Sequence, residues 1–261
     1  MMQVWAIANQ KGGVGKTTTT LALGRSLALQ GQRVLLVDLD PHGSLTRAFG
    51  VSADPPPAGV LELFSTPPLP MADLARPSPL EGLDFVCAQT ALATLERRSA
   101  NQPGLGLALS QALSRHTGGH DYVLLDCPPT LGLLMVNALA AADRLIVPTQ
   151  TEPLAMHGLA GMCRTSEMVE RSRGRPLPVA VLPTMFDRRT RAGRDTLRQM
   201  QEDYRDRVWS EAVPIDTQLC NADLLAQQSA GSAHPGRALG AYARALDWIL
   251  AGQPQRLEQA A

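Results

Sequence analysis

The chain has 261 residues, enough for one large domain or two small ones, and enough to bury a core without disulfide support. Hydrophobic residues make up 44% and charged residues 18%, which excludes a disordered chain. Lys+Arg and Asp+Glu both count 24, so the formal net charge is zero; binding of nucleic acid by bulk charge is excluded, and only a local basic patch could do it. Cys87, Cys127, Cys163 and Cys220 form no CxxC pair, and core thiols in a reducing compartment are expected. The opening MMQVWAIANQ lacks the basic-then-apolar layout of a secretory leader. No apolar run reaches the roughly 20 residues of a membrane span. A cytoplasmic location is expected.

In chain order, residues 3–9 read as a short apolar strand, followed by the glycine-rich QKGGVGKTTTT and a helix from Thr17 to about Gln30. Residues 33–39 (RVLLVDL) are a near-continuous apolar strand ending in acid, the pattern of a parallel sheet buried on both faces. Residues 52–82 carry eight prolines and read as a surface loop with one helical patch at Val60–Phe64. Strands are predicted at 83–88, 121–126, 144–149, 178–184 and 207–213. Helices are predicted at 91–97, 105–115, 131–142, 157–172, 191–206 and 236–251. Strands alternating with helices imply βαβ units with right-handed crossovers. The expectation is one α/β domain over 1–261, a mostly parallel twisted sheet with helices on both faces and a flexible tail at 252–261.

The basic residues are unevenly used. Of 24, 22 are arginine, and the two lysines, Lys11 and Lys16, share one glycine-rich loop. An ammonium is a compact point charge that fits among phosphate oxygens where a planar guanidinium does not. Lys11-Gly12-Gly13-Val14-Gly15-Lys16-Thr17-Thr18 lies between a strand and a helix, the context that makes a phosphate loop. Glycines let backbone N–H groups converge on an anion, and the helix N-terminus adds its dipole. Lys16 would reach the terminal phosphates and Thr17 would place its hydroxyl on Mg²⁺. The pattern GxxxxGK[ST] wants glycine at position 10, where Gln10 stands.

Read instead as KGGxGKT[T], the loop matches the deviant Walker A form, and over nearly its whole length the chain resembles the ParA/MinD family of dimerising ATPases. That resemblance implies a P-loop NTPase fold, with ATP and Mg²⁺ as cofactors and an ATP-dependent homodimer. It implies that Lys11 crosses the dimer interface to the partner's nucleotide. Val34–Pro41 resembles the first switch, with Asp40 orienting the attacking water and holding Mg²⁺ through water; Asp38 reads as a strand-end acid that supports the loop or the waters of Mg²⁺ rather than acting directly in catalysis. Leu124–Pro129 resembles Walker B plus the second switch, with Asp126 holding Mg²⁺ through water. Thr184–Asp187 and Val213–Asp216 match the segments that flank adenine. There Pro214 could pack on the ring and Asp216 could accept from its amine.

Cargo is the remaining question. The last helix reads as core docking and the tail has no apolar face, which disfavours membrane association. The phosphate loop begins at residue 11, too early for a preceding helix-turn-helix. Nine of the 22 arginines fall between residues 164 and 198. Arg188, Arg189, Arg191, Arg194 and Arg198 are candidates for nonspecific DNA phosphates. Against DNA, Val208–Gly236 holds no Lys or Arg, and Gln218 stands where chromosome-partition members often carry a basic residue. DPHGS (40–44) replaces the family's commoner DPQGN, and TALATLER (90–97), PTMFDRRT (183–190) and VPIDT (213–217) resemble the ParC-type branch, which implies a chemotaxis-array adaptor as partner. A partition ATPase is the alternative. A metal-cluster carrier or metabolic enzyme on the same scaffold is another, and Cys127 meeting its copy across a dimer would mark the carrier.

Overall fold

The computed structural model describes residues 2–52, 55–98, 105–220 and 236–252. Beyond Gly252, the predicted tail lies outside the described residues. Strands β1 (Gln3–Ile7), β2 (Val34–Asp38), β3 (Arg76–Pro77), β4 (Leu83–Val86), β5 (Tyr122–Asp126), β6 (Arg144–Gln150) and β7 (Val179–Thr184) form one sheet. Its order is β3-β4-β2-β5-β1-β6-β7. Every pairing is parallel except β3 with β4. The α/β class and mostly parallel sheet expected from the apolar runs are therefore present.

The runs are continuous because both faces of the sheet are covered. Val4 and Ala6 join the core on one side, with Leu35, Val37, Val123 and Leu125. Trp5 and Ile7 point to the other, with Val34, Leu36 and Leu124. Helix α1 (Lys16–Leu29) and the last helix, α9 (Arg237–Ala251), cover the Trp5 side through Leu23, Leu27, Tyr242 and Leu246. Helices α5 (Ala108–Ser114), α6 (Leu133–Ala141) and α7 (Ala155–Arg173) cover the other through Leu109, Leu134, Leu159 and Met162. The apolar face of α9 is thus spent inside the core. No described helix is long and apolar enough to cross a membrane.

Two expectations are corrected. Residues 55–82 are more than a surface loop. They hold a 3-10 turn at Val60–Phe64, a short helix α3 (Met71–Leu74) and the edge strand β3. Val60, Leu63, Met71, Leu74 and Leu80 are buried. Prolines kept the segment from regular length, but its apolar residues still had a sheet edge to cover. The predicted strand at 207–213 is not one. Trp209 and Val213 donate to the carbonyls of Val181 and Pro183 at 3.1 and 2.9 Å. Four residues on one side thus match two on the other, so the intervening residues loop away and no ladder can form.

Candidate nucleotide and cation site

The site lies beyond the carboxyl ends of β1, β2 and β5, where open parallel sheets bind ligands. Register pairs Ile7 with Asp126 and Asp38 with Asp126, so three strand ends deliver the loop and both acids to one edge. The loop leaves β1 and enters α1 through two left-handed glycines, Gly13 at φ 73° and Gly15 at φ 89°. Gly15 is the N-cap and no side chain caps the helix, so the first-turn N–H groups of α1 face the loop. Val14 is buried, and its carbonyl accepts from the Thr184 hydroxyl at 3.0 Å, which fastens the loop to β7. Gly12 and Thr18 complete it, Thr18 on the wall of an adjoining cavity.

Lys16 is buried within this loop, where its Nζ donates to the Lys11 carbonyl at 3.4 Å. Burial pulls the Lys16 ammonium below its ordinary pKa, against the opposing pull of Asp126 and Asp40. A cation stripped of water in this way gains from an entering anion. Thr17 donates to Asp126 Oδ2 at 2.7 Å and Thr20 to Oδ1 at 3.3 Å. Burial first, and then the Asp38 carboxylate, push Asp126 up to about 8. A buried carboxyl flanked by two hydroxyls and beside further acid is a donor set that fits a hard divalent cation.

Asp38 is fully buried and faces inward. It accepts from the Thr46 backbone at 2.8 Å, the Thr46 hydroxyl at 2.7 Å and the Asp40 N–H at 3.2 Å. It braces the loop after β2, as one of its two expected roles required. Asp40 stands two residues past that strand. One of its oxygens accepts from the His42 N–H at 2.9 Å and lies 2.8 Å from His42 Nδ1. The sequence showed His42 only as a departure from the commoner pattern; its contact with the water-orienting candidate was missed.

Lys11 turns away from Lys16. Its Nζ donates to Gln150 Oε1 at 2.8 Å and lies 3.4 Å from Glu152. Gln150 in turn donates to Met185 Sδ at 2.9 Å. Sequence reasoning missed Gln150 and Glu152; the signal was a polar triplet, Gln150-Thr151-Glu152, closing an apolar strand. Both line a cavity of about 410 Å³ together with Pro214 and Asp216. The two predicted base-flanking segments do meet. Phe186 donates to the Val213 carbonyl at 2.9 Å and accepts from Ile215 at 3.2 Å. Asp216 also accepts from the Ala238 N–H at 3.3 Å, which caps α9. Met185, at φ 53°, turns the chain at the cavity wall.

The five candidate DNA arginines lie together on and before α8 (Arg191–Tyr204). Three carry acidic partners. Arg189 grips Asp187 at 2.8 Å, and Arg191 and Arg198 share Asp195 at 3.4 and 3.5 Å. Arg194 donates to the Arg188 carbonyl at 2.7 Å. Two other arginines of the basic stretch serve the fold. Arg173 donates to the carbonyls of Leu139 and Ala142 at the end of α6, and Arg175 pairs with Asp143. The thiol of Cys127 is buried and donates to the Leu125 carbonyl at 3.5 Å.

A family model described as an AAA domain matches residues 2–178. The sporulation initiation inhibitor protein Soj of Bacillus subtilis is 36% identical over 223 residues, 85% of this chain and 88% of that protein. The chromosome partitioning protein ParA of Caulobacter vibrioides is 37% identical over 224 residues, 85% of this chain and 84% of that protein. A Mycobacterium smegmatis structure, described as cobyrinic acid a,c-diamide synthase with an ATP analogue and magnesium, superposes with a TM-score of 0.81. It is 35% identical and spans 96% of this chain and 95% of that one. With the glycine loop, the Thr17–Asp126 contact and the sheet order in place, these likenesses settle the family: the chain belongs to the ParA/MinD family of ATPases.

Proposed function

We propose that this protein is an ATP-dependent, dimerising switch that hydrolyses ATP to position or segregate a cellular cargo. The observation that carries the reading is the division of labour between its two lysines. Lys16 is buried inside the phosphate loop, whereas Lys11 is held 2.8 Å from Gln150, outside its own phosphate cradle. The backbone of Gly12–Thr18 and Lys16 would bind the phosphates. Thr17, and Asp126 through water, would hold Mg²⁺, with Asp40 nearby; the ion would neutralise charge on the β- and γ-phosphates. Asp40 holds the attacking water. Lys11, released from Gln150 and Glu152, enters the site of a facing subunit and stabilises charge as the γ-phosphoryl leaves. The cavity lined by Pro214 and Asp216 would take adenine, with Pro214 packing on the ring and Asp216 accepting from its amine.

For the cargo, partition is supported by the likeness to the chromosome partitioning protein ParA of Caulobacter vibrioides, at 37% identity. It would use the Arg188–Arg198 surface on nonspecific DNA, and a protein partner would stimulate slow turnover. A chemotaxis-array cargo with its adaptor is the second reading, supported by the strings at 90–97, 183–190 and 213–217. A synthase reading, prompted by the mycobacterial likeness, requires ATP turnover that depends on a carboxylic acid and a nitrogen donor.

The test mixes two inactive variants, Lys11→Ala and Asp40→Ala. In the mixed dimer the Asp40→Ala chain lends Lys11 to an otherwise intact site, so phosphate release should return. A mixed dimer shown to form, yet inactive, would mean that Lys11 works in its own chain.

A further inference from the structure

We propose that Glu96 is a positioning residue for the second switch, gripping the turn after Asp126 from a separate element, the helix α4 (Leu92–Arg98). The proposal rests on the reading of the protein as an ATP switch. Of the strings singled out in the sequence, 90–97 is the one for which the phosphate chemistry has no use. The structure gives it a contact. Glu96 Oε1 accepts from the Leu134 N–H at 3.1 Å, and Oε2 accepts from the Thr130 hydroxyl at 3.4 Å.

The turn needs an outside grip for three reasons. Pro128 and Pro129 have no N–H to donate, so its middle cannot tie itself down through the backbone. Helix α6 begins at Gly132, which has no side chain to cap the first-turn N–H groups. The other end of the turn is already fixed, because Asp126 is held by Thr17 and Thr20. Glu96 fixes the free end on both sides of Gly132. Its carboxylate is half-buried and meets a helix N-terminus, so the bonds are charge-assisted.

Gly132 records how close the approach is. A Cβ there would lie 2.6 and 2.8 Å from the two Glu96 oxygens. Gly132 has φ −129°, a conformation that alanine adopts without strain. Gly132→Ala should therefore expel the carboxylate while leaving Glu96 in the chain.

Three variants test the proposal: Glu96→Ala, Gly132→Ala and Glu96→Gln. For each, ADP affinity, thermal midpoint and turnover at saturating ATP are measured. ADP leaves the γ-phosphate position empty, so its affinity should stay within about twofold of wild type in all three. Turnover should fall about tenfold in Glu96→Ala and Gly132→Ala, as a loss confined to the chemical step. Glu96→Gln should keep at least about half, because its amide oxygen still accepts from Leu134. Unchanged turnover in Glu96→Ala, with a wild type that hydrolyses ATP, would overturn the proposal. So would a parallel loss of ADP affinity and turnover, or a glutamine variant no better than alanine. A wild type without ATP turnover would instead sink the switch reading, and this proposal with it.

Discussion

Burial pulls the Lys16 ammonium below its ordinary pKa and pushes the Asp126 carboxyl above its own, so each gains from a ligand of opposite charge. For Lys16, removing the ammonium takes away the positive charge buried inside the loop. Lys16→Ala should weaken ATP binding at least about 100-fold, roughly 2.7 kcal/mol, measured by calorimetry. Asp126 makes a pH prediction. Its folded pKa is raised from 3.8 to about 8. The stability tied to its neutral form is therefore complete below about pH 4 and lost as pH rises toward 8. Without nucleotide and Mg²⁺, Asp126→Asn should melt several degrees above wild type at pH 8. The gap should narrow at pH 6, and the variant should lose Mg²⁺-dependent hydrolysis. An equal gap at both pH values would show that the carboxyl is not the group that titrates.

At the scale of elements, residues 55–82 show how a proline-rich stretch is fastened to a sheet. The Val60 N–H donates to the Cys87 carbonyl at 2.9 Å, and Gly59 brings the backbones together. A Cβ at Gly59 would stand 2.1 Å from that same oxygen, and the obstacle is backbone, which cannot swing aside. Gly59→Ala should cost about 1–3 kcal/mol in chemical denaturation, the usual range for overpacking. Because this segment is far from the glycine loop in the strand order, nucleotide affinity should be unchanged. The alternation of Val4, Ala6 against Trp5, Ile7 was legible in the sequence as a run with no polar member. The edge role of Arg76–Pro77 was not, since two residues carry no period.

Across the whole molecule, zero net charge means that any DNA binding must come from how arginines are distributed and paired. Asp195 holds both Arg191 and Arg198. Asp195→Asn should free both guanidiniums and tighten ATP-dependent binding of nonspecific DNA. The slope of log affinity against log salt should steepen by about one to two phosphate contacts. Charge reversal at Arg189 and Arg191 should do the opposite. A gel shift unmoved by either change would take this surface out of consideration.

The sequence by itself determined the class of the sheet, the glycine loop with its lysine pair, and the acids at strand ends. These features depend on local periodicity and on residue types for which few chemistries have a use. What only the tertiary structure decided were contacts between segments distant in the chain. Lys11 meets Gln150 across 139 positions, and Thr17 meets Asp126 across 109. Glu96 reaches Leu134 across 38, and 207–213 fails as a strand because its two anchors on β7 are unequally spaced. No pattern along a chain encodes such pairings, because they follow from which strand ends the sheet order brings side by side.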